Sequence, residues 1–76
     1  MRQRLESPTG EHLAARYAAT RALDVDPYSE QGHNLLIRAH VLGGDVGGAR
    51  RTRDRYVAAM ADLGVTPQTE TLRLVP

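Results

Sequence analysis

Asp26-Pro27-Tyr28-Ser29-Glu30 divides the first half of the chain into two helices. Proline has no N–H for the helical ladder and holds the residue before it in an extended conformation, so a helix arriving from the N-terminal side ends here. Ser29 follows as an N-cap, its hydroxyl free to accept from the exposed N–H groups of a new first turn. The segment therefore reads as the corner of a helical hairpin.

Upstream, Ser7-Pro8 repeats the sign of a helix start, with serine as cap and proline at the first helical position. This predicts a first helix over about residues 9–25 behind a flexible arm of residues 1–8. Leu13, Ala14, Tyr17, Ala18, Ala22 and Val25 recur at steps of three and four and are expected to face the core.

Downstream, a second helix is expected over about residues 30–42, with Leu35, Leu36, Ala39, His40 and Leu42 turned inward and Gly43-Gly44 ending it. Asp45 is the expected N-cap of a third helix over about residues 46–63. Its inward face carries Ala49, Thr52, Tyr56, Ala59, Met60 and Leu63. Gly47 and Gly48 weigh against its start, because each glycine inside a helix costs up to ~1 kcal/mol relative to alanine. Gly64 ends the helix, Val65 is expected to pack back, and Thr66-Pro67 signals a short last helix reaching about position 74. The expected fold is all-α, four helices in antiparallel hairpins.

Two segments match at a separation of 34: Ala15 with Ala49 and Ala22 with Tyr56. A period of about 34 residues is that of tetratricopeptide hairpins, where small side chains sit at close helix contacts. Leu23-Asp24-Val25-Asp26-Pro27 finds a second echo in Leu63-Gly64-Val65-Thr66-Pro67, at a separation of 40. The extra six positions lengthen the third helix, so the repeat is imperfect.

A chain of 76 residues buries only about 60% of the surface its unfolded form exposes. This one has no Phe or Trp, and its aromatics are Tyr17, Tyr28 and Tyr56 alone, so stability is expected to be marginal. It has no Cys, which excludes disulfides and thiolate metal sites. Met1-Arg2-Gln3-Arg4 is not followed by the apolar run of a signal peptide, and no run approaches the ~20 residues needed to span a bilayer. The expected compartment is the cytoplasm. The ten cations are all Arg, a bias that GC-rich codon usage produces without selection, and a net charge of +1 points to no particular partner.

The string from Ala22 to Leu72 resembles a known family. Ala-Leu-Asp-Val-Asp-Pro-Tyr-Ser-Glu, then Leu-Leu-Ile-Arg-Ala-His, then Gly-Asp with an Ala-Arg-Arg helix, closed by Asp-Leu-Gly-Val-Thr-Pro-Gln-Thr-Glu-Thr, is similar to the bacterial transcriptional activator domain. That domain is the tetratricopeptide-like part of SARP-type antibiotic pathway regulators. The most specific pieces are Asp26-Pro27-Tyr28-Ser29-Glu30 and Leu63-Gly64-Val65-Thr66-Pro67, and the first helix matches loosely. The resemblance implies that residues 9–76 form the C-terminal part of such a domain. In the family a winged-helix DNA-binding domain and a first hairpin stand upstream. Neither is in this chain, so direct DNA recognition is not carried over.

No catalytic, cofactor or metal site emerges from the residues. His12, His33 and His40 are the only imidazoles. His33 and His40 share a helix face, but seven residues rise roughly 10 Å, too far for one ion to bridge. His40 is expected to be partly buried and His33 to lie on the surface. Gly43-Gly44-Asp45-Val46-Gly47-Gly48 lacks the lysine and the preceding strand of a phosphate loop, and is read as a turn. Arg50-Arg51-Thr52-Arg53-Asp54-Arg55 concentrates charge, but at 100° per residue the guanidinium groups scatter, and Asp54 is placed to pair with Arg50.

The leading expectation is a protein–protein interaction or dimerisation module of a bacterial transcriptional regulator. So few helical hairpins leave an apolar end uncovered, and that end implies a neighbouring protein segment or a second copy. Tyr28, His33, Arg38 and Arg53 are the candidate contacts. The alternatives are nucleic-acid binding through residues 50–55, which would weaken steeply with salt, and a degenerate fragment with no function of its own. No membrane or small-molecule partner is indicated.

Overall fold

The computed structural model describes residues 6–76, which form four helices: α1 (Glu6–Val25), α2 (Glu30–Leu42), α3 (Val46–Leu63) and α4 (Thr69–Leu72). The fold is all-α, with no strand among the described residues. The first five residues of the expected arm lie outside the described part.

α1 begins at Glu6, three positions before the expected start, so Ser7 lies within the helix instead of capping it. Pro8 is accommodated because the N–H groups of a first turn have no acceptor inside the helix, and the missing donor costs nothing there. At the other end, the Asp26 carboxylate accepts from the Tyr28 backbone N–H at 3.0 Å, and the Asp26 carbonyl accepts from the Ser29 N–H at 3.0 Å. Ser29 Oγ then accepts from the Gly32 N–H at 2.9 Å, capping α2 where the sequence places the cap.

α2 ends at Gly43, and Gly44 takes the left-handed conformation with φ of 76°. Asp45 caps α3, its Oδ1 accepting from the Gly48 N–H at 2.8 Å. Gly64, at φ of 71°, closes α3, and the Val65 N–H reaches the Met60 carbonyl at 2.9 Å. The Val65 side chain stays exposed, so it does not pack back as expected. α4 is shorter than the sequence suggests. Thr66-Pro67 remains outside it, since Gln68 is extended at ψ of 132° and flanks the helix, its N–H donating to the Tyr56 hydroxyl at 2.8 Å.

α2 is the central element, with α1 and α3 each packed against it. Two glycines set the α1–α2 distance. A Cβ at Gly32 would stand 2.9 Å from Leu23 Cδ2, and one at Gly43 would stand 2.7 Å from the His12 ring. Leu23 faces the start of α2 and His12 its end, so the two helices are antiparallel. His33 and Tyr56, with ring centroids 5.6 Å apart, and His40 beside Asp45 fix α3 as antiparallel to α2 in the same way.

The buried apolar residues are Ala19, Leu23, Leu36, Ile37, Ala39, Ala49, Tyr56 and Met60. Of the repeat-related pairs, Ala49 and Tyr56 are buried and Ala15 and Ala22 half-buried, so all four face inward. On α3 the expected face is the packed one, except that Leu63 is half-exposed. On α2, Leu36 and Ala39 are buried, but Leu35 and Leu42 point outward and Ile37 takes the inner position.

α1 is turned nearly opposite to expectation. Its packed side is His12, Ala15, Ala19, Ala22 and Leu23. Leu13, Ala14, Tyr17, Ala18 and Val25 are exposed, Tyr17 to 66% and Val25 to 83%. The physical reason is distance. Leu23 and His12 fit the Gly32 and Gly43 notches, and the small Ala15, Ala19 and Ala22 between them let the helices approach, where Leu13 and Tyr17 of the other face would hold them apart.

Candidate functional site

The four candidate contact residues do not form one surface. Tyr28, in the turn, and His33, on α2, share a groove of about 310 Å³ with Leu23, Pro27, Arg55 and Asp62. Arg38 lies on the outer side of α2 beside a second hollow with Val41, Leu42 and Leu74, its Nε donating to Asn34 Oδ1 at 2.8 Å. Arg53 is half-buried on α3 and reaches Asp54 at 3.3 Å. Asp54 thus pairs with its neighbour and not with Arg50, because the Arg53 side chain folds along the helix surface to meet it.

His33 is 2% exposed, which corrects its placement on the surface. Its Nδ1 donates to the Ser29 carbonyl at 2.8 Å, and its ring packs against Tyr56 at an interplanar angle of 46°. The sequence holds a signal for this burial: His33 lies one turn before Leu36 and Ile37 on the same stripe. His33 therefore shapes the groove floor and braces α2 against α3.

Tyr56 was legible as a core residue, but its polar role was not. The hydroxyl donates to Glu30 Oε2 at 2.6 Å and accepts from the Gln68 N–H. Burial raises the phenol pKa, and the hydrogen bond to the Glu30 carboxylate adds to the rise. Thr71, fully buried, accepts from Asn34 Nδ2 at 2.9 Å, so α4 is tied to α2 by a side-chain bond and to α3 through Gln68.

At the α2–α3 turn His40 Nδ1 lies 3.3 Å from Asp45 Oδ2. Burial lowers the His40 pKa, and Arg16 and Arg51 lower it further, against the opposing pull of Asp45. Burial thus favours the neutral imidazole beside the Asp45 carboxylate. The Asp45 pKa is lowered chiefly by its bond from the Gly48 N–H. Gly48 is required here: a Cβ would overlap the Asp45 carboxylate and stand 2.8 Å from His40 Nδ1. The start of α3 is thus held by packing, which offsets the helix propensity lost at Gly47 and Gly48.

The arginine run does not make a basic track. Arg50, Arg51 and Arg55 are exposed, but Arg51 acts on Asp45 and His40 at one end of α3 while Arg55 lines the groove with Asp62. Among the described residues no cluster of His, Cys, Asp and Glu is arranged to hold a metal ion, and no helix is long and apolar enough to cross a membrane.

The outer face of α1 is left without a covering element among the described residues. Leu13, Ala14, Tyr17, Ala18 and Val25 line it, and Arg21 folds over it, its guanidinium carbon 6.0 Å from the Tyr17 ring centroid and its Nη1 3.5 Å from the Tyr17 hydroxyl. Apolar stripes of this kind on a small domain mark contact surfaces. Comparison of the chain with protein-family models, with curated proteins and with solved structures finds no match.

Proposed function

We propose that the chain is a protein–protein interaction or dimerisation module of a bacterial transcriptional regulator, a tetratricopeptide-like segment of the SARP type that works in the cytoplasm. The observation that carries the interaction reading is the outer face of α1, where Leu13, Tyr17 and Val25 are presented to solvent while Ala19, Leu23 and His12 hold the helix to α2. The regulator assignment rests on the residue resemblance from Ala22 to Leu72. The module catalyses no reaction and needs no cofactor. The segment itself contacts protein, and DNA only indirectly.

Photo-crosslinking in the native cells tests the reading. With Tyr17 replaced by p-benzoylphenylalanine, irradiation is expected to yield protein adducts that mass spectrometry identifies as a second copy or a DNA-binding regulator. The same probe in place of Glu70 is expected to yield none. Equal labelling from both positions, or adducts only to nucleic acid from position 17, would overturn it.

A further inference from the structure

We infer that the outer face of α1 pairs with the same face of a second copy of the chain, the two helices antiparallel, with Glu11 of each opposite Arg21 of the other. The inference rests on the interaction reading above and names the partner for that face.

At 100° per residue Glu11, Ala14, Ala18, Arg21 and Val25 share one side of α1, with Leu13 and Tyr17 along its flank. All of them are exposed, and α2 packs against a different side, the one with His12, Ala15, Ala19 and Leu23, so a partner can approach without disturbing the core. The charges on this side are ordered, with the acid near one end and the base towards the other. Two copies aligned in the same direction would set Glu11 against Glu11 and Arg21 against Arg21, which repels. Turned end for end, each acid meets a base.

Register follows from the same residues. Positions 11 and 21 have their midpoint at Arg16, and so do positions 14 and 18, so one two-fold axis through that point satisfies both pairs. Ala14 then lies opposite Ala18 of the other copy, and these small side chains let the helix backbones come close. Tyr17 and Leu13 cover the flank of the seam, and Arg21 is already drawn towards it by its contact with Tyr17. One helix face buries less than the ~800 Å² per partner of a standard stable interface, so the pairing is concentration dependent.

Sedimentation velocity of the full chain over a wide concentration range tests this, with circular dichroism confirming that each variant is helical. The wild-type mass is expected to double as concentration rises. Arg21→Glu weakens the dimer by about tenfold or more, since it reverses two symmetric contacts, and adding Glu11→Arg to the same chain restores it. Because the chain has no cysteine, an equimolar mixture of Ala14→Cys and Ala18→Cys chains gives a second readout. The mixed disulfide is expected to form faster than either homodimer. A monomer at every concentration, or a dimer indifferent to both charge reversals, overturns the inference. If heterologous protein adducts still arise from position 17 in that event, the interaction reading survives it.

Discussion

The Tyr56 hydroxyl donates to Glu30 Oε2 at 2.6 Å, joining the middle of α3 to the first residue of α2. The same oxygen accepts from the Gln68 N–H, so one phenol fixes the hairpin and the chain that leaves it.

Tyr56→Phe keeps the ring and removes both bonds, leaving the Gln68 N–H without its acceptor. The expected loss is about 2 kcal/mol, read as a lower urea midpoint at pH 7. The pH dependence carries a definite sign. The folded phenol pKa is raised above its unfolded value, so its contribution is complete below pH ~10 and is lost as pH rises through the folded pKa. Wild type should lose stability over that alkaline range more steeply than Tyr56→Phe.

Gly47 and Gly48 should respond in opposite ways to alanine. A Cβ at Gly47 would meet the flexible Arg51 side chain at 3.4 Å and Asp45 Oδ1 at an ordinary 3.8 Å, so Gly47→Ala is expected to stabilise by a few tenths to about 1 kcal/mol. Gly48→Ala drives a methyl group into Asp45 and His40 and should cost about 1–3 kcal/mol. Thermal melts of the two variants against wild type check both signs.

Acid should weaken the α2–α3 turn in two stages. The folded His40 pKa is lowered, so stability is complete above pH ~6.5 and falls as pH drops through that value towards the folded pKa. The Asp45 pKa is lowered as well, and its contribution disappears below pH ~3.9. His40→Gln should flatten the first stage and leave the second, as measured by urea unfolding at stepped pH.

Thr71→Val replaces a buried hydroxyl with a group of the same shape and removes the acceptor for Asn34 Nδ2. The expected cost is about 1 kcal/mol. Hydrogen exchange should show the backbone amides of α4 opening more often, while those of Ala19 and Leu23 hold their protection.

The helix containing Arg50 to Arg55 should show no DNA affinity at physiological salt, because its guanidinium groups are dispersed around the helix and Arg53 is paired with Asp54. Fluorescence anisotropy with a labelled duplex, titrated at rising salt, checks this. Tight binding with a steep salt slope would favour a phosphate-binding role instead.

The ends of α2 and α3 were legible in the sequence because caps are local: Ser29, Asp45 and Gly64 act on N–H and C=O groups within four residues of themselves. Orientation was not. α1 has alanine on both sides, at Ala14 and Ala18 as well as at Ala15 and Ala19, so its periodicity fits two opposite faces. The choice between them depends on the shape of α2, which no local pattern encodes. His33 was misplaced for a related reason, since its burial depends on Tyr56 arriving from a distant part of the chain. Of the candidate contacts, Tyr28 and Arg38 are exposed, and which face of α1 is exposed follows from the side that packs on α2.

Leu23 in the Gly32 notch and His12 in the Gly43 notch lie eleven positions apart on α1, as the two glycines do on α2. Two stops with matched spacing prevent α1 from sliding along α2 or rocking about a single pivot. A load applied to the solvent side of α1 is therefore shared by two contacts near opposite ends of α2 and not borne by a single pivot.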